Sequence, residues 1–261
     1  MTAPIPRDMP DLPAIPRTHA LLPSFVPASA VVAPARRPSA GVLRLLIAGT
    51  ATGAVTLALL LGSPLRVLSH FSVQSTILLA LVTLVSARRA WTARRPLPST
   101  LTGAALLYAV ANGLVYHLLL ADAASPYSVT GATGAPTGWH AVAHHLLHTV
   151  VPAAAVLDWL LLTAPAHLHL RQAATWLVYP LVYLGFSLAR AALITVGAPD
   201  RYLYPFLDVA AHGYRHTLAN ALLLGLSLYA LAVLLVALDH ARPNPVRHRG
   251  KTGFRLRPPV G

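Results

Sequence analysis

Cysteine is absent from all 261 residues. Its absence excludes a disulfide framework, a thiolate metal site and a cysteine nucleophile. Glutamate is absent too: the seven acids are all Asp, set against nineteen Arg and a single Lys, for a formal net charge of +13. Charge as a whole is scarce. Charged residues make up 10% of the chain and hydrophobic residues 56%, whereas a soluble domain carries about 25% charged residues. A surface facing water could not be covered with so few. An Arg excess of this kind would ordinarily raise nucleic acid as a partner. Here the Arg residues punctuate long apolar runs instead of lining one face, which is how membrane proteins place positive charge. The composition implies an integral membrane protein with no nucleic-acid partner.

What is present organises the chain. Residues 1–40 hold nine of the 23 prolines, and Pro breaks up the short apolar stretch Leu21–Ala35, so a disordered arm is expected there and no signal-peptide core. Residues 45–65, 67–87, 96–121, 123–157, 172–189 and 216–238 contain no charged side chain. A span needs about 20 apolar residues, so six helices fit, at roughly 41–62, 70–87, 99–121, 141–163, 173–196 and 212–239. The longest link, 122–140, is rich in Gly, Ser, Thr and Pro, as a loop should be. Sixteen of the twenty basic residues then fall on one side; Arg66, Arg190, Arg201 and Arg215 fall on the other. The expected fold is all-α: a polytopic six-helix membrane domain over residues 41–240, both termini cytoplasmic, followed by a basic tail at 241–261.

With that topology the polar residues can be read for depth. His70, Ser72, Ser75 and Thr76 open the second helix; Asn112 and His117 lie in the third; His144, His145, His148 and Thr149 crowd the fourth. Tyr179, Tyr183, Ser187 and Arg190 make a stripe along the fifth, and His212, His216 and Asn220 another along the sixth. All point to one layer, the outer half of the membrane. A lone Ser or Thr in a span bonds its own i−4 carbonyl, and a lone interfacial His is commonly solvated or bridging. A convergence from five helices instead predicts a polar cavity, with Asn112, His117, His145, His216 and Asn220 among its walls.

Three chemistries suit such a cavity. A hydroxyl could attack a carbonyl after losing its proton to a neighbouring His; Ser72 and His148 lie at similar depth on different helices. His144, His148, His212 and His216, two i, i+4 pairs, could surround one zinc, although no acid flanks either pair as in an H-E-x-x-H helix. Or the cavity could serve a proton-coupled carrier or sensor, a class that often shows an internal repeat; none is evident here. Asp158 lies ten residues beyond His148, about 15 Å along a helix, too far to orient it. It is expected to be structural, with Trp159 at the cytoplasmic interface and Asp158 meeting water or Arg171.

Five segments, His70-Phe-Ser-Val-Gln-Ser-Thr-Ile-Leu, Gly113-Leu-Val-Tyr-His, His144-His-Leu-Leu-His-Thr-Val-Val-Pro, Leu157-Asp-Trp-Leu-Leu and Tyr202-Leu-Tyr-Pro-Phe-Leu-Asp, resemble in order and spacing the androgen-induced-gene family of six-helix membrane proteins. The resemblance covers residues 41–240 and is nearest to the family's bacterial relatives. Animal members are hydrolases that cleave esters joining a fatty acid to a hydroxy fatty acid, with an intramembrane Thr as nucleophile and a His as base. The resemblance implies Ser72 in the place of that Thr and His148 in the place of that His, with Pro152 one residue earlier after the His than in the animal pattern. It implies a lipid or amphiphilic acyl ester as partner, no cofactor, and a multi-pass location in a bacterial plasma membrane, which the Arg bias and Ala/Leu richness of a GC-rich genome would also suit. Asn112, Asn220 and His117 are the expected oxyanion donors. Arg190, with Tyr183 on the same face, is expected to bind substrate by fixing a free carboxylate, unless it snorkels to the interface or pairs with Asp208.

Overall fold

The computed structural model describes residues 36–121, 127–131, 134–198 and 201–243, all within one packing unit. The expected arm therefore lies outside the described residues except for its last five positions, and so does the tail from 244 onward. The protein is an all-α polytopic membrane protein. Six helices are long and apolar enough to cross a bilayer: Pro38–Leu61, Phe71–Trp91, Ser99–Leu120, Gly138–Leu162, Leu170–Leu193 and Val209–Ala241, called spans one to six below. Six crossings return the chain to the side from which it started.

Small residues set the tightest contact. Span one begins with Pro at its first turn, where the missing N–H is harmless, and buries Ala51, Ala54, Val55 and Ala58, an i, i+3, i+4, i+7 face. Span two buries Val73, Thr76, Ala80, Thr83 and Ala87. With so little side chain between them the two backbones approach closely, the usual route to helix association where lipid is the solvent. The hydroxyls do not interfere: Thr76 donates to the Ser72 carbonyl at 2.7 Å and Thr83 to the Leu79 carbonyl at 2.7 Å.

Two prolines bend the bundle where the site lies. Pro152 has no N–H to give the His148 carbonyl, and the helix answers with a π turn over Leu146–Val150, closed by Val151 N–H to the Leu146 carbonyl. A second π turn spans Tyr116–Leu120 in span three. Pro180 likewise deprives the Trp176 carbonyl of its helical donor. There the Tyr108 hydroxyl substitutes, donating at 2.6 Å, and span five breaks at Leu177 between Leu170–Trp176 and Val178–Leu193. Trp176 packs against Gly103, where a Cβ would come within 2.3 Å of the indole. Span six carries its own break at Gly213, whose φ of 72° takes it out of the helix.

At the Arg-rich end the structure corrects the sequence reading of the acids. Asp158 is structural, but its partner is Arg44 of span one, at 2.7 Å, and not Arg171. Nor is it alone. Asp239, fully buried near the end of span six, accepts from the Trp159 indole at 2.9 Å and from the backbone N–H groups of His167 and Leu168 at 2.7 and 2.8 Å. Arg242 completes the cluster, paired with Asp239 at 2.5 Å and stacked over Trp159.

Candidate functional site

The opposite end of the bundle holds the polar residues. A short helix, Pro64–Ser69, follows span one, and His70, with extended backbone, separates it from span two. Ser72 therefore sits in the first turn of a 21-residue helix, where the macrodipole is positive. The Ser72 hydroxyl is buried and makes no hydrogen bond. Gly113 in span three lets span four approach: a Cβ there would stand 3.2 Å from the His148 carbonyl. That proximity brings Asn112 onto His148.

The amide of Asn112 is read unambiguously by its partners. Its Nδ2 donates to the Leu147 carbonyl at 2.8 Å, which only an amide nitrogen can do. Its Oδ1 must then face His148 Nδ1, at 2.9 Å, and that nitrogen must carry the proton. In the neutral imidazole the Nε2 lone pair is left free, and Nε2 is buried without a partner. The ring is clamped by stacking on Tyr116, centroids 4.4 Å apart. His148 is thus held as a base whose proton-accepting atom is fixed and unoccupied.

Next to it, His144 is fixed in the same way by a different donor. Val129 N–H points to His144 Nε2 at 3.2 Å, so the ring proton sits on Nδ1, a buried donor with no acceptor. Val129 belongs to a segment that the sequence presents as plain loop. Instead Tyr127, Ser128, Val129 and Thr130 are all buried, held by Arg66 to the Ser128 carbonyl at 3.2 Å and by Thr130 to His140 at 2.7 Å. Gly62 makes room, since a Cβ there would meet the Thr130 carbonyl at 2.8 Å. Tyr127 is the hub: its ring lies 5.8 Å from those of His144 and His148, 5.9 Å from His70 and 5.5 Å, stacked, from Tyr204. The hydroxyls of Tyr127 and Tyr204 lie near one another and near that of Ser72, although neither Ser72 Oγ nor Tyr127 Oη closes a hydrogen bond. Burial raises the pKa of both tyrosines. Burial also chiefly lowers that of His70, assisted by the charges of Arg66 and Arg190 and opposed by its bond to the Arg66 carbonyl.

Beside these groups lies a cavity of about 490 Å³. Asn112, His148, Tyr183 and Tyr204 line it, while most of its wall is apolar: Phe71, Val115, Leu181, Leu184, Leu218, Leu222, Gly225 and Leu228 among others. Leu181 and Leu222 are 63% and 66% exposed, so the wall formed by spans five and six also faces the lipid.

The sequence reading of the cavity walls needs correction. Asn112 is in place, as an orienting group for His148 and not as a free donor. His117, His145, His216 and Asn220 are exposed. His117 bonds Thr149 at 3.0 Å, His216 turns back to the His212 carbonyl, and Asn220 reaches the Phe206 carbonyl at 3.4 Å. These four side chains lie on other faces of their helices than the cavity. The four-histidine zinc arrangement is not assembled either: His144 and His148 are buried, His212 and His216 exposed, and no metal-capable group of three or more appears among the described residues. Tyr183 lines the cavity and donates to the Ser69 carbonyl at 2.9 Å. Arg190 lies outside the cavity wall and donates to the Arg201 carbonyl at 3.3 Å, while Asp208 caps span six through Ala211 N–H at 3.0 Å. Tyr127 and Tyr204 were missed. Tyr127 had only the signal of an aromatic in a polar, Pro-containing link, whereas Tyr204 lay in one of the five segments that carry the resemblance.

Comparison with protein-family models, curated proteins and solved structures gives no match to this chain.

Proposed function

We propose that the protein is an intramembrane hydrolase of lipid esters, with Ser72 as nucleophile and His148 as general base. One observation carries the reading. A serine hydroxyl and a tautomer-fixed imidazole nitrogen, both buried and both without a partner, lie on either side of Tyr127, and the imidazole borders an apolar cavity large enough for an acyl chain. An unpaired buried polar group is unfavourable by about 1–3 kcal/mol, and a substrate that pairs with them explains why they are kept so.

In this reading the acyl chain lies among Leu181, Leu184, Leu218 and Leu222, with its ester at the polar end. Ser72 Oγ bonds to the carbonyl carbon as its proton passes to His148 Nε2. The alkoxide leaves and takes that proton back, forming the free alcohol. Water then repeats the sequence on the acyl-enzyme and releases the fatty acid. Asn112 keeps the imidazolium oriented, the part that an Asn plays in Cys-His-Asn enzymes. The resemblance to the androgen-induced-gene family favours the same reaction class. The Arg-rich end would be cytoplasmic by charge asymmetry, so the site would open toward the outer leaflet of a bacterial plasma membrane.

A fluorophosphonate probe, which reacts only with activated hydroxyls, tests the assignment. Purified protein is expected to label on Ser72, and Ser72→Ala or His148→Ala to abolish both labelling and ester turnover while the protein stays folded. Full activity in Ser72→Ala would end the nucleophile assignment. Ligand flux with neither labelling nor hydrolysis would favour a carrier.

A further inference from the structure

A serine attack on an ester needs one more part, a pair of donors aimed at the oxygen on which negative charge develops. The three side chains that sequence suggests for it are spent elsewhere. Both polar atoms of Asn112 are engaged, and His117 and Asn220 are exposed and bonded to Thr149 and Phe206. The hydroxyls near Ser72 are instead those of two tyrosines that come from segments outside the spans. Tyr127 descends from the loop between spans three and four, and Tyr204 precedes span six. Tyr204 lies near both the Ser72 hydroxyl and the Ser72 backbone N–H, and Tyr127 near the hydroxyl.

We infer that Tyr127 and Tyr204 form the oxyanion hole of this site, the two phenolic O–H groups donating to the carbonyl oxygen of a bound acyl ester. The inference rests on the reading of Ser72 as nucleophile. When Ser72 Oγ bonds to the carbonyl carbon, the π pair moves onto the oxygen. The two hydroxyls hold it by hydrogen bonds without surrendering their protons, and the Ser72 proton goes to His148. As the tetrahedral centre collapses, the pair returns to re-form the carbonyl and the bond to the leaving oxygen breaks.

Three observations converge on these residues. Both rings are rigidly held, Tyr127 stacked on Tyr204 and Tyr204 on Phe206, centroids 5.2 Å apart in the second pair. Tyr127 Oη is buried with no hydrogen bond of its own, so its donor is free for a ligand. Tyr204 also lines the cavity in which an acyl chain would lie, which puts its ring at the junction of chain and ester. Burial keeps both phenols in the protonated, donating form over the working pH range. The hole is thus made of side chains.

Tyr127→Phe and Tyr204→Phe test the inference, because each keeps the ring and its stacking and removes only the hydroxyl. Full-length protein would be compared with each variant by ester turnover, by fluorophosphonate labelling rate and by affinity for a trifluoromethyl ketone, which forms a tetrahedral adduct. Each variant is expected to lose about 10²–10³ in kcat, with KM little changed and ketone affinity falling in step with kcat/KM. A purely structural role would lower the melting temperature and leave kcat per folded molecule intact. Normal labelling of Ser72 in the wild type with wild-type kcat in both variants would overturn the oxyanion assignment alone. No labelling of Ser72 in the wild type would overturn both it and the nucleophile reading. If Tyr127→Phe does not fold, Tyr204→Phe decides.

Discussion

At the scale of single residues, Asn112 bears the sharpest test of how the site is organised. It gives its nitrogen to the Leu147 carbonyl and its oxygen to His148, and the second bond selects which imidazole nitrogen can take a proton. Asn112→Leu removes that selection and strands two polar groups. We expect a loss on the order of 100-fold in labelling rate, with the protein destabilised by about 1–3 kcal/mol for each stranded group. Asn112→Asp retains an acceptor for His148 and should keep far more of the rate while sharing the destabilisation, because a carboxylate cannot donate to Leu147. Equal labelling rates in wild type and Asn112→Leu would show that His148 needs no orientation. That Asn112 and His148 would meet was legible in the sequence, because polar residues at matching positions in long apolar runs seek each other. The azimuth of the other polar side chains was not legible. His145, one residue from His144, faces outward, and His117 lies on the exposed side of a π turn. Tyr127 and Tyr204 were illegible for another reason: a residue in a link has no period to betray whether it turns back into the core.

At the scale of elements, the charge gaps gave the six spans to within a few residues, because a charged side chain inside a span is costly. The breaks were harder to read. Pro152 and Pro180 are visible in the sequence, yet whether a proline yields a π turn or a broken helix depends on what replaces its missing N–H. At Trp176 that is Tyr108, 68 residues away. The same reasoning directs attention to Gly225 on span six, which lines the cavity and has open space where a Cβ would stand. Nothing in its backbone requires glycine, and a larger residue there would gain up to about 1 kcal/mol in helix propensity. The room itself is what the glycine provides. Gly225→Leu should leave the protein folded, fill part of the cavity, and reduce turnover of long-chain esters much more than that of butyryl esters. Kinetics on an acyl-length series would measure this. An unchanged length profile would mean that the chain does not run past Gly225.

At the scale of the whole molecule, the two ends of the bundle are built for different purposes. The Arg-rich end is closed by ion pairs, Arg44 with Asp158 and Arg242 with Asp239, and each acid there has its donors. The other end leaves Ser72 Oγ, Tyr127 Oη, His144 Nδ1 and His148 Nε2 buried without partners. An organisation of this kind has meaning only if the two ends face different compartments, and the missing cysteines make that measurable, since any cysteine introduced is the only thiol in the chain. Ser63, exposed just after span one, lies at the site end, and Thr92, exposed just after span two, lies at the Arg-rich end. In intact cells a membrane-impermeant maleimide should label Ser63→Cys at once and Thr92→Cys only after permeabilisation, because positive charge is retained on the cytoplasmic side. The reverse pattern would turn the site toward the cytoplasmic leaflet and change which lipids reach it. Labelling of both from outside would break the second crossing, and with it the packing of span one on span two that holds Ser72 in place.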